Sequence, residues 1–137
     1  MDELTKSFGY EWGEEIGAPT TVELPDGERV IQLRAWYSTT EPRLEVVQAI
    51  ADSVWWPVAD SDIHHLGYWS DDVAQTCTGL QERGYVMEVA GKRPDGQLYW
   101  AYMRKPSLPR VEVVSSQLRP LMEGYFATGR VPERHPE

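Results

Sequence analysis

Three pairs of short segments recur along this chain in the same order, and that duplication constrains the fold more than anything else in the sequence. Phe8-Gly9-Tyr10 matches Arg83-Gly84-Tyr85, and Pro25-Asp26-Gly27 matches Pro94-Asp95-Gly96. The third match sets Arg43-Leu44-Glu45-Val46-Val47-Gln48 against Arg110-Val111-Glu112-Val113-Val114-Ser115. The offsets shrink slowly, from 75 through 69 to 67 residues. One such match arises easily by chance; three in order mark two diverged copies of one unit.

Each copy reads as the same string of elements. In the second, Ile63 to Trp69 predicts an opening strand, and Asp71 to about Arg83 a helix. Ser70 or Asp71 caps that helix, Gly84 stops it, and Val73, Cys77 and Leu80 form its apolar stripe. Strands follow at Val86 to Ala90 and Gln97 to Arg104, joined by the Pro94-Asp95-Gly96 turn, and then at Val111 to Ser115. The first copy predicts a helix within Asp2 to Phe8, and strands near Thr21 to Leu24, Val30 to Tyr37 and Leu44 to Gln48. Shifting His65 back by 75 residues lands before Met1, so the first copy's opening strand is expected to be missing from the chain. A last helix, Gln117 to Ala127, carries Leu118, Leu121, Met122 and Tyr125 at helical spacing.

The expected organisation is one α+β domain over residues 1–137: a first, incomplete unit at 1–50, a linker at 51–61, a second unit with the terminal helix at 62–127, and a frayed tail at 128–137. His135 falls in that tail, where exposure to solvent is expected.

Composition narrows the function. The chain carries 22 acidic against 13 basic residues, a net charge of −9, with no basic cluster to meet phosphates, which argues against nucleic acid. No apolar run is long enough for a membrane helix, and the first residues lack a secretory pattern. One cysteine, Cys77, excludes a disulfide framework within the chain, so a cytoplasmic location is expected. Six tryptophans are more than a core of this size usually needs, and Trp36, Trp55, Trp56, Trp69 and Trp100 suit the walls of a pocket for a small flat ligand.

Strand alternation singles out two acids. Glu45 shares a face with Val47 while Leu44 and Val46 take the other; Glu112 shares a face with Val114 while Val111 and Val113 take the other. A lone carboxylate flanked by valines on a strand is costly to bury. Two at matched positions of a duplicated unit fall near one pseudo-twofold axis. By the same alternation His64 and His65 point to opposite faces, with His65 the better candidate ligand.

With the opening Ile63-His64-His65-Leu66-Gly67-Tyr68-Trp69-Ser70-Asp71-Asp72, a β-α-β-β-β unit occurring twice resembles the vicinal oxygen chelate superfamily, the glyoxalase, bleomycin-resistance and extradiol-dioxygenase group. Within it the chain is similar to the glyoxalase and methylmalonyl-CoA epimerase kind. The resemblance implies two units forming a cup-shaped mixed sheet, with a divalent metal held by a His on each opening strand and a Glu or Gln on each last strand. Carried over by position, the ligands fall on His65, Glu45 and Glu112, and the fourth has no counterpart. One imidazole and two carboxylates suit Zn²⁺, Fe²⁺, Mn²⁺, Co²⁺ or Ni²⁺.

The resemblance further implies chelation of two neighbouring substrate oxygens, with Glu45 or Glu112 as the catalytic base beside a carbonyl. That is isomerase or lyase chemistry on a small carbonyl compound. Gln32, Arg34 and Trp36 share one strand face and, with Trp69 and Trp100, are the candidate substrate-binding residues; Arg34 suits an anionic group. Two other readings share the fold: a metal-free, drug-sequestering protein for a cationic or aromatic compound, and a non-catalytic paralogue. A first unit without its opening strand exposes a sheet edge, so a homodimer is expected.

Overall fold

A computed structural model describes residues 1–59 and 61–132. Its elements run α1 (Asp2–Phe8), β1 (Ile16–Leu24), β2 (Gly27–Tyr37), β3 (Glu45–Val47), β4 (Leu66–Ser70), α2 (Val73–Glu82), β5 (Val86–Lys92), β6 (Leu98–Arg104), β7 (Val111–Ser115), a 3-10 turn (Ser116–Leu118) and α3 (Arg119–Thr128). The described strands form a mixed seven-stranded sheet in the order β3-β2-β1-β5-β6-β7-β4. The fold is α+β. No helix of the described residues is long and apolar enough to cross a membrane.

The duplicated segments take matching local roles. Gly9 ends α1 at φ 72° and Gly84 follows α2 at φ 96°, left-handed values that glycine adopts without the strain of a Cβ. The amides after them turn back onto the helix ends, Tyr10 N donating to Leu4 O at 3.4 Å and Tyr85 N to Leu80 O at 3.0 Å. The two Pro-Asp-Gly segments connect β1 to β2 and β5 to β6. Most telling, Glu45 lies opposite Tyr37 on the β2–β3 ladder, and Glu112 lies opposite Tyr102 on the β6–β7 ladder.

Backbone contacts divide the chain into two compact units. One comprises Pro19–Ile31 and Ala49–Leu118. There α2 packs Val73 and Cys77 against Ala90, Ala101, Met103 and Val113, with Leu80 and Val111 at the margin. Burial raises the Cys77 thiol pKa, so the group stays a neutral core filler. Because Ala101, Met103 and Val113 face the helix, Trp100, Tyr102, Glu112 and Val114 face the other way, as strand alternation requires. The other unit comprises Met1–Ala18, Gln32–Gln48 and the segment from Arg119. Its α3 buries Tyr125, whose hydroxyl donates to Glu14 O at 2.6 Å.

Several boundaries differ from the expectation. The opening strand starts at Leu66 rather than Ile63, because its parallel partner β7 begins only at Val111. The cap of α2 is Asp72, extended at φ −145° and accepting from Gln75 N at 3.0 Å; Ser70 is paired with Thr76 and Asp71 with Ser116. The stripe on α3 is buried only at Tyr125, and Leu121 is exposed. His135 and the last residues of the tail lie outside the described residues, as does Asp60 of the linker.

Candidate functional site

The site begins with a local consequence of the late start of β4. His64 and His65 sit before the strand, where alternation does not apply, so the expectation of opposite faces fails. Their rings meet edge to face with centroids 5.1 Å apart, and both touch Tyr102, at 5.9 and 4.9 Å.

Close polar contacts tie this pair to each other and to its surroundings. His64 Nε2 is 2.6 Å from Val54 O, an atom that can only accept, so a neutral His64 carries its proton on Nε2. Arg110 Nη1 lies 2.9 Å from the same nitrogen, but that guanidinium has its own acceptors. These are His64 O at 3.3 Å from Nη1, and Glu88 Oε1 at 2.8 Å from Nε. His64 Nδ1 is then bare and accepts from His65 Nδ1 at 2.8 Å. His65 Nε2 is turned toward Glu112 Oε1, 3.5 Å away. An imidazole nitrogen and a carboxylate at this separation can share a cation.

Glu112 enters from β7 and is held beside Tyr102 by the strand pairing. Its side chain is 18% exposed and that of His65 10%, so both are largely withdrawn from water. Glu45 enters from β3 and is half-buried. His65 and Glu112 belong to one unit; Glu45 belongs to the other, where it holds on its own ladder the position that Glu112 holds on β7. An imidazole nitrogen with two carboxylate oxygens fits a divalent first-row metal, with positions left for water or substrate.

Aromatic side chains wall this site. Trp55 and Trp100 are buried and meet edge to face, and the Trp55 indole N–H donates to the Tyr102 hydroxyl at 3.2 Å. Trp69 is 40% exposed and lies opposite Val114, which shares its strand face with Glu112. Gln32, Arg34 and Trp36 do share one face of β2, but the Arg34 guanidinium is engaged by Glu15 and Gln48 and lies 5.5 Å over the Trp36 ring. Its donors are committed within its own unit.

Sequence reasoning missed Tyr102, Arg110 and Glu88, and misjudged His64. Alternation along Trp100-Ala101-Tyr102-Met103-Arg104 carried the signal for Tyr102, since it shares a face with Trp100 and sits opposite Glu112.

A family model described as the Glyoxalase/Bleomycin resistance protein/Dioxygenase superfamily matches residues 1–102, a stretch that includes Glu45 and His65 and stops short of Glu112. No curated protein matches the chain.

Proposed function

The chain belongs to the Glyoxalase/Bleomycin resistance protein/Dioxygenase superfamily, and on that premise we propose that it is a metal-dependent enzyme of the glyoxalase or epimerase kind. It would move a proton beside the carbonyl of a small substrate in the cytoplasm. The observation that carries this reading is His65 Nε2 lying 3.5 Å from Glu112 Oε1, with Glu45 at the matching position of the other copy.

His65 would ligate through Nε2, the nitrogen turned toward Glu112 while Nδ1 contacts His64. Glu45 and Glu112 would supply the carboxylates, and one of them would serve as the proton-accepting base. A bound divalent ion would supply Lewis-acid stabilisation of the oxyanion that develops on the substrate. Tyr102, with its hydroxyl fixed by Trp55, and the buried Trp100 exclude water from one side, which strengthens charge interactions inside.

A metal-free binding protein is the second reading, favoured by that aromatic wall. Titration separates the two. Protein dialysed against EDTA should rise in melting temperature by several degrees on addition of Mn²⁺, Co²⁺, Ni²⁺ or Zn²⁺. No shift with any of the four would leave the binding protein as the better description.

A further inference from the structure

A cavity of about 820 Å³ opens beside the His64–Arg110 contact, lined among others by Trp55, Trp56, Ile31, Arg29 and Arg104. Its volume suits a small organic ligand. Its charge runs against that of the chain. Three arginines, Arg29, Arg104 and Arg110, line it against two acids, Asp52 and Glu88, in a protein of net charge −9.

Two of the three cations are already engaged. Arg29 pairs with Asp26 at 2.7 Å and Arg110 with Glu88 at 2.8 Å. Arg104 is different. It ends β6 on the face of Trp100 and Tyr102, it is half-buried, and its guanidinium makes no hydrogen bond or ion pair to any described residue. A half-buried guanidinium with uncommitted donors is poised for an anion, which it can grip through two parallel N–H bonds. The neighbouring Trp56 indole, 54% exposed, offers flat apolar surface.

We propose that this cavity binds an organic anion, a carboxylate or phosphate carried on a flat apolar body, with Arg104 as its anchor. The inference deepens the enzyme reading by naming a substrate class, and its catalytic meaning rests on that reading. It runs opposite to a cationic ligand.

Calorimetric titration of the EDTA-dialysed full chain tests it, using 2-naphthoate, 2-naphthyl phosphate, neutral 2-naphthamide and cationic 2-naphthylmethylamine. Either anion should bind at least tenfold more tightly than the amide and the amine, and the tighter of the two identifies the headgroup. Arg104→Gln should weaken the anion about 10- to 100-fold and leave the amide unchanged. Arg104→Lys should restore part of the loss, and an unchanged melting temperature excludes misfolding. Equal binding of all four probes, no binding of the anions at millimolar concentration, or no effect of Arg104→Gln would overturn the proposal. Repeating the titration with Mn²⁺ present separates the two readings. Anion selectivity without any metal uptake defeats the metal reading alone, and metal uptake without anion selectivity defeats this one alone.

Discussion

His64 Nδ1 lies 2.8 Å from His65 Nδ1, a contact that engages one ring nitrogen of His65 while the other faces Glu112. The chain of assignments starts at the Val54 carbonyl, passes through both rings and ends at Nε2 beside Glu112. His64 therefore acts through His65, as a positioning residue. Replacing His64 with Phe removes the acceptor and frees the His65 ring to turn or take the wrong tautomer. Affinity for Zn²⁺ or Co²⁺ should fall about 10- to 100-fold, the usual cost of losing such an orienting partner. His64→Asn, whose side-chain oxygen can accept in place of Nδ1, should recover part of it. Calorimetry on the three proteins reads the result, and equal affinity for the Phe variant would show that His64 orients nothing.

The three proposed ligands should behave as a set. His65→Ala, Glu45→Ala and Glu112→Ala should each abolish the stabilisation by added divalent ion, while moving the melting temperature of EDTA-treated protein much less. Stabilisation by a ligand at 100 times its dissociation constant is about 2.7 kcal/mol, so a lost site is easily seen. A variant that still gains the full shift identifies a residue outside the site.

Gly91 and Trp100 face each other across β5 and β6. A methyl group at Gly91 would fall inside the Trp100 indole. Trp100 in turn packs against Trp55 and Tyr102, so it has little room to retreat. Gly91→Ala should cost about 1–3 kcal/mol and alter the near-ultraviolet circular dichroism from the tryptophans. Wild-type stability and spectrum in the variant would mean that the close approach is relieved at no expense.

How much of this was written in the sequence follows from what each feature depends on. Local matches such as Phe8-Gly9-Tyr10 with Arg83-Gly84-Tyr85 encode helix ends directly, because the left-handed glycine acts on its own neighbours. Glu112 was legible because the alternation that turns Val113 toward α2 turns Glu112 away. His64 was misread because strand alternation was carried into a segment that is not strand, and where β4 starts depends on where β7 begins, 45 residues later. Arg34 looked like an anion ligand on its strand face, but its partners Glu15 and Gln48 come from segments with no visible relation to it. Arg104, whose guanidinium has no partner among the described residues, gave no signal, since partners are known only after folding.

Tyr125 is fully buried in the unit that contains α3. Its hydroxyl donates to Glu14 O at 2.6 Å, and burial pushes its pKa above the ordinary value of 10.0 because a phenolate would lose its hydration. The nearby Glu14 carboxylate adds to the shift, and the Tyr37 N–H, which favours the anion, opposes it. Below about pH 10 the phenol is protonated whether the chain is folded or not, so its contribution is constant and fully present. As pH rises past 10 the unfolded chain gives up this proton first. The folded state then binds more protons than the unfolded state, and stability falls with pH until the folded phenol ionises too. Tyr125→Phe should be less stable at pH 7 by about 1 kcal/mol, for the lost hydrogen bond. It should also decline less steeply than wild type between pH 10 and 11.5. Urea unfolding of both proteins across that range reads the difference, and parallel curves would mean that Tyr125 titrates alike in the folded and unfolded chains.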